Sequence, residues 1–490
     1  MKNKIFFLIF ILHFASYIFG KTLHVGTNHT YKVLTQATSV AIPGDSVICH
    51  DPIIQGGMAI SNLSGTFEKW IYILAENGKT VIIQGGSNCI QFSDCSYLHI
   101  EGFTIQGQTG NGMNIDDAGS FETPTHHIRI IKCIFQNINA TGNNDLLKLS
   151  GLDHFEISEC QFINGAAGGS GIDMVGCHQG VINVNTFKNL GSNSIQAKGG
   201  SSDIRIIRNQ FENGGSRALN LGGSTGLAFF RPQNATTEAE NIHVVANVFR
   251  GSEATIAFVG CRKVEVSNNT ILFPKKWVIR ILQETVDPNR FLPCGDNSIY
   301  NNIIVIDNAV STEVNIGPNT APVTFTFTKN LWYKTSDQGW QGPTLPGFIN
   351  DQIIKDPLFI NNSSGLLSNN SPAIGAGQPY ISLTRDFLGN YFNNPPSLGA
   401  YEANPFVSHL SDVDLKINIF PNPFNDVITC LFEDEAHRTI TIFTLDGNKM
   451  FSLETKELIA EIPCDHLFSG SYVLLISQGL KEYRRLIIRR

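Results

Sequence analysis

The sequence predicts an all-β chain: a right-handed parallel β-helix, that is, a solenoid of stacked coils, followed by a small C-terminal β-sandwich. Three observations carry this expectation. A unit of the form apolar-x-apolar-x-x-Asn/Cys-x-large apolar recurs between about residues 95 and 335. Its apolar residues lie two apart, the period of a strand with one buried face, and a strand repeat of this length winds into a solenoid. Only 16% of the 490 residues are charged, while Gly numbers 45 and Phe 33; that charge is well under the usual quarter, and the mix suits strands joined by tight turns.

The elements follow in order along the chain. Lys2 and Lys4 precede an apolar run from Ile5 to Phe14, and the small residues Ala15, Ser16 and Gly20 follow. Such a run is too short to span a bilayer and has the layout of a secretory signal, so residues 1–20 read as a leader and the mature chain as starting near Lys21. No later stretch is apolar for long enough to suggest a membrane span. Residues 21–402 read as the β-helix with its two caps. The segment Ala41-Ile42-Pro43-Gly44-Asp45-Ser46-Val47 lies in its entry, where a short amphipathic helix is expected to cover the first coil; an open coil would expose strand edges and core.

The units themselves include Ile128-x-Ile130-x-x-Cys133-x-Phe135, Phe155-x-Ile157-x-x-Cys160-x-Phe162 and Ile204-x-Ile206-x-x-Asn209-x-Phe211. Stacked coils place equivalent residues above one another. Asn185, Asn209, Asn247, Asn269, Asn302 and Asn330 should therefore form an asparagine ladder at one turn, and the Phe positions a core column. Cys95, Cys177, Cys261 and Cys294 occupy another inward slot, where a small thiol fits. Cys261 and Cys294 lie in adjacent coils, which leaves a disulfide open without predicting one. No CxxC pair or Cys/His cluster has the spacing of zinc ligands.

Each unit holds a further short strand, such as Leu147-x-Leu149, Ile172-x-Met174, Ile195-x-Ala197, Leu219-x-Leu221 and Ile279-x-Ile281. The residues between must face outward, so Lys148, Asp173, Gln196, Asn220, Ala257 and Arg280 should stack in one column, with Lys198 at a strand's end. The alternative is an ordinary solvated sheet face. The longest interval between units, from Phe211 to Phe249, holds a Gly-rich run with Arg217 and then Phe229, Phe230, Arg231 and Glu238. Long loops on a rigid solenoid often carry function. The Gly-rich run is no phosphate loop, since no Gly-Lys-Ser/Thr follows. The formal charge of −7 excludes a polybasic nucleic-acid binder.

Towards the C-terminus, Asp356-Pro357, Ser371-Pro372-Ala373-Ile374 and Leu398-Gly399-Ala400-Tyr401-Glu402 resemble the closing segment of secreted bacterial β-helix proteins. Residues 403–414 read as a linker. From 415 to 490 the pattern changes to short strands after Pro421-Asn422-Pro423-Phe424, with a hairpin turn at Asp446-Gly447. This tail resembles the C-terminal sorting domain of the type IX secretion system of Bacteroidetes-type bacteria. The resemblance implies handling by that machinery, export across the outer membrane, and release or anchoring at the surface.

The span from Gln196-Ala197-Lys198-Gly199-Gly200 through Asn209-x-Phe211 to Arg217-Ala218-Leu219-Asn220 resembles the chondroitinase-B and alginate-lyase family of the pectate-lyase-like superfamily. Such lyases remove the C5 proton of a uronate and eliminate across C4. The resemblance implies Lys198 as general base, and charge neutralisation from the next coil. There the family's Arg aligns with Asn220, and Arg217 stands three residues away. Calcium is the cofactor the family would allow, but Gly191 and Asn193 stand where its acidic pair is expected, so no matching ligand set is found. The resulting expectation is a secreted protein acting on an acidic polysaccharide, with Lys198 and Arg217 catalytic and Asn220, Arg231, Phe229, Arg280, Asp173 and Lys148 binding substrate. The alternative is a non-catalytic surface module that binds carbohydrate or adheres. A glycoside hydrolase, which needs paired carboxylates, ranks third, because Asp173 is the one acid in the outward column.

Overall fold

The computed structural model describes residues 20–121, 123–361, 365–379, 385–403, 417–432, 435–444, 449–478 and 481–489. The leader at 1–19, linker residues 404–414 and the turn at Asp446-Gly447 lie outside the described residues. By compactness the chain divides into residues 1–354 and 355–490.

In the first unit three parallel sheets form the faces of a solenoid. Face A has ten strands, from Met58–Ser61 to Val314–Ile316; face B has fourteen, from Thr22–Val25 to Phe348–Asn350; face C has twelve, from Ile53–Gln55 to Ile353–Ile354. One coil runs Asn193–Lys198 on A, Ser201–Ile207 on B and Gln210–Glu212 on C. The alternation of the sequence is the alternation of burial: Ile195, Ala197, Ile204, Ile206 and Phe211 point into one core. The winding starts earlier than the repeat suggested, at Thr22. In those first coils Val81 and Phe103 occupy the register of the later Asn/Cys slot, so the signature is absent although the strands are there.

The corner between faces B and C explains the repeat. The residue before each slot adopts a left-handed conformation: Lys132, Glu159, Val184, Arg208, Ala246, Asn268, Asn301 and Lys329 all have φ between 49 and 58°. That conformation turns the chain sharply at a steric cost of about 1–2 kcal/mol for an L-residue. The next residue compensates by hydrogen bonding. Asn209 Oδ1 accepts from the backbone N–H of Asn185 and from its side-chain amide, both at 2.9 Å, and Asn209 Nδ2 donates to the Ile182 carbonyl at 2.9 Å. The same pattern continues through Asn247, Asn269, Asn302 and Asn330, as the stacking required. Gln352 Oε1 receives the last amide, at 3.4 Å, and the Trp332 indole N–H. Beside the ladder, Phe135, Phe162, Phe187, Phe211 and Phe249 stack with centroids 4.5–5.0 Å apart. The described cysteines are buried free thiols, Cys261 and Cys294 included.

The expected entry helix is Leu34–Thr38, which buries Leu34 and Ala37. Asp45 behind it accepts from the backbone N–H groups of Lys21 and Ile42.

In the second unit, two antiparallel sheets share one core of Phe424, Ile428, Cys430, Ile440, Ile442, Ile462, Leu474, Ile476 and Ile487. One sheet holds Asn418–Phe420, Val427–Leu431 and Ile459–Pro463; the other holds Arg438–Thr444, Lys449–Thr455, Gly470–Gln478 and Lys481–Arg489. The closing segment from Lys355 belongs to this unit.

Candidate functional site

Face A carries the outward column in the expected register. Asn114, Lys148, Asp173, Gln196, Asn220, Ala257, Arg280 and Asn315 are successive partners across its strands. Coils that are nearly identical at the B–C corner differ here at every step.

Lys148, Asp173 and Lys198 form one charge cluster. Asp173 is buried beneath two amines: Oδ2 pairs with Lys148, and Oδ1, which makes no hydrogen bond, lies 3.3 Å from Lys198 Nζ. Lys198 Nζ also reaches Gln196 Oε1 at 3.5 Å. A further acid, Asp145, lies 3.7 Å from Lys148 and accepts from the Ser170 backbone N–H at 2.7 Å. Burial first, and then the negative charge of Asp173, push the Asp145 carboxyl up to about 6. Burial works against the charge on Lys148, but Asp173 and Asp145 outweigh it and hold the amine above its ordinary value. Asp145 was not singled out in the sequence; its only signal is an acid three residues before Lys148, in a Gly/Asn-rich turn.

Arg217 stands one coil on, in register with Asn193. Its guanidinium donates to Asn220 Oδ1 and to Glu284 Oε1, both at 2.8 Å. The latter bond reaches across one coil, that of Ala254–Val259, whose partners to Arg217 and Asn220 are the small residues Ala254 and Ala257. Two coils beyond Asn220, Arg280 lies over the Trp277 ring at 4.4 Å, and Lys276 Nζ lies 4.1 Å from the same ring. Burial and the neighbouring charge of Arg217 both lower the Arg280 pKa. Face A thus runs from an acid–lysine cluster through Arg217 and Asn220 to an aromatic ring flanked by two cations.

The long loop supplies less of this surface than its sequence suggested. Phe229 is exposed, but Phe230 is buried against Phe291. Arg231 is not offered to a ligand: it is 9% exposed, its fork grips both Asp153 oxygens at 2.7 Å, and it donates to the Gly176 carbonyl. It braces the corner between faces A and B. Burial opposes ionisation of Asp153, but Arg231 and His178 hold its carboxyl far below the ordinary range. Glu238 anchors the loop's far end, accepting from the Gly199 and Thr225 backbone N–H groups and from the Thr225 and Thr285 hydroxyls. The loop's start does reach the site. A side chain at Gly223 would meet Gln196 Nε2 at 2.7 Å and approach the Lys198 stem, which places the start of the loop beside these two residues.

The residues present do not fit a calcium site of the family's kind. Asn193 offers a neutral amide oxygen where an acid is needed, Gly191 has no side-chain ligand atom, and the nearby carboxylates of Asp145 and Asp173 are paired with Lys148 and Lys198.

Residues 71–273 match the family model of the right handed beta helix region, and residues 418–489 match that of the secretion system C-terminal sorting domain. No curated protein matches the chain in sequence. Among solved structures, pectate lyase Pel9A superposes with a TM-score of 0.51 at 14% identity, covering 79% of this chain and 97% of that one. XylC in complex with xylose gives 0.45 at 10% identity over 78% and 98% of the two chains, and the PL6 family alginate lyase AlyGC gives 0.37 at 16% identity over 69% and 54%. The chain has the right-handed parallel β-helix of the pectate-lyase-like fold. Its tail is a type IX secretion sorting domain, so it is a protein exported to the cell surface or beyond it in Bacteroidetes-type bacteria. No helix among the described residues is long and apolar enough to cross a membrane.

Proposed function

We propose that face A binds an acidic polysaccharide and cleaves it by β-elimination, with Lys198 as general base and Arg217 neutralising the uronate carboxylate. The observation that carries this reading is the placement of a lysine and an arginine on successive coils of one face, with the Trp277 ring and Arg280 further along. Sugars stack on aromatic rings, and cations attract the carboxylates of the chain. In this reading the Lys198 amine takes the C5 proton while the electron pair expels the C4 oxygen. Neutralising the carboxylate stabilises the charge that develops in that step. Lys148 holds hydroxyls or carboxylates alongside, while Asn220, 3% exposed and bonded to Arg217 and to the Gly222 carbonyl, positions the guanidinium instead of touching the sugar. Phe229, exposed in the long loop, is the further residue proposed to meet the polymer. The fold shared with pectate lyase Pel9A agrees with an acidic sugar polymer as ligand.

A second reading, a binding module without catalysis, is favoured by one observation: Lys198 is already paired with Asp173, and Arg217 with Glu284. Incubation with alginate, pectin, chondroitin and heparin, followed by ultraviolet absorbance of unsaturated product, separates the two. Product from the wild type that disappears in Lys198→Ala, with binding retained, supports elimination. Binding without product supports the module. Neither binding nor product with any uronate polymer overturns both.

A further inference from the structure

Three histidines meet at the N-terminal end of the solenoid, on coils that carry none of the face A residues above. His24 lies on the first strand, His29 in the loop after it, and His50 directly after the second strand, Ser46–Cys49. Each can offer a ring nitrogen, and these nitrogens lie within 4.8 Å of one another. His24 Nδ1 is 2.8 Å from His50 Nε2, and the rings of His29 and His50 stack with centroids 4.0 Å apart.

The surroundings hold this arrangement. His50 Nδ1 bonds Glu76 Oε2 at 2.7 Å, which leaves Nε2 facing the cluster, and Lys79 fixes Glu76 in turn. The loop that brings in His29 is closed by the Gly26–Tyr31 backbone bond and by Lys32, whose ammonium donates to the carbonyls of Thr27 and His29. At Gly26 a side chain would strike Asp51 Oδ1 at 2.8 Å and crowd the His29 ring at 3.2 Å. Asp51 binds the backbone and hydroxyl of Thr27 rather than an imidazole.

We propose that His24, His29 and His50 bind one divalent transition-metal ion, zinc by ligand type, and that the ion clips together the first coils of the β-helix. Neutral imidazoles suit zinc, copper and nickel, whereas calcium and magnesium take oxygen. A zinc held at about 2.0–2.1 Å by each ring needs nitrogens roughly 3.3 Å apart, which the cluster accommodates with small ring movements. Glu76 on the far nitrogen of His50 is the carboxylate–histidine support that orients a metal-bound ring. Three protein ligands leave the fourth position to water. The sequence spacing hid the site because its residues sit 5 and 21 positions apart and only the stacking of the first two face B strands unites them. The site is independent of what face A binds.

The test is calorimetric titration of zinc chloride into the chelator-stripped, purified protein, with cobalt(II) as a spectroscopic probe. The expected result is one equivalent bound, tetrahedral visible bands with cobalt, and a zinc-dependent rise in unfolding temperature. His29→Ala and His50→Ala should each weaken binding by at least about 100-fold, and Glu76→Gln by about 10–100-fold, with unchanged circular dichroism. His24 is exposed, so His24→Ala serves as a variant with little risk to folding. Absence of saturable zinc binding overturns the proposal. So does binding that persists at wild-type strength in all three histidine variants, or an equal stabilisation by calcium or magnesium.

Discussion

The corner between faces B and C and the surface of face A are made by the same coils, and they differ in one respect. At the corner each coil repeats its neighbour: a left-handed residue, then a cysteine at Cys133 and Cys160 and, from Asn185 on, an asparagine whose amide is bonded to the coils above and below. On face A successive coils present Lys148, Asp173, Gln196, Asn220, Ala257 and Arg280. A fold that needs only stacking is best served by repetition. Residues that break the repeat while staying in register are not set by the stacking itself, and the function proposed above assigns their variety on face A to a ligand. The contrast has a middle term: the A–B corner breaks the repeat too, yet there Arg231 and Glu238 are consumed by the fold.

The largest effect should come from that middle term. Arg231→Met leaves the Asp153 carboxylate half-buried beside His178 without its bidentate partner, and should cost about 3–5 kcal/mol in denaturant unfolding, because the arginine is structural. A smaller loss would move Arg231 back towards the ligand surface. Next, Asn247→Leu removes the acceptor of two Asn209 donors and the donor to the Ile206 carbonyl; the expected loss is about 1–3 kcal/mol. Equal stability would mean that the ladder is decoration.

A gain of about 1 kcal/mol is expected for Val184→Gly. A β-branched residue at φ 57° is strained, and glycine removes the strain at some cost in unfolded-state entropy. The last effect is a dependence on pH. Because the folded Asp145 carboxyl titrates at about 6, above its unfolded value, the folded state holds its proton longer. This group therefore takes stability away as pH rises from about 4 to about 6. Asp145→Asn should flatten that part of the stability profile and leave the rest alone.

What the sequence disclosed follows the same division. The strand alternation, the Asn and Phe slots and the face A column are local patterns with a fixed period, and all were legible. Arg231 with Asp153 and Arg217 with Glu284 are pairings 78 and 67 residues apart, set by which coils the loops cross, and no periodicity announces them. For that reason Arg231 resembled a ligand-binding residue until its partner was seen. The first coils were assigned to the β-helix without a visible repeat, because Val81 and Phe103 fill the ladder register with apolar side chains, and the histidine cluster that lies among them was not read.

The central claim is that the ligand meets the non-repeating face. The most direct measurement compares the affinity for a uronate polymer of the wild type, of Arg280→Ala on face A and of Arg205→Ala, an exposed arginine on face B. Loss of a cation that meets the polymer should weaken binding by about tenfold or more, as expected for a charge-assisted bond worth about 1.5–3 kcal/mol, while Arg205→Ala should bind as the wild type does. Equal weakening by both substitutions would mean a diffuse electrostatic attraction, and weakening by Arg205→Ala alone would place the ligand on face B; either result contradicts the account.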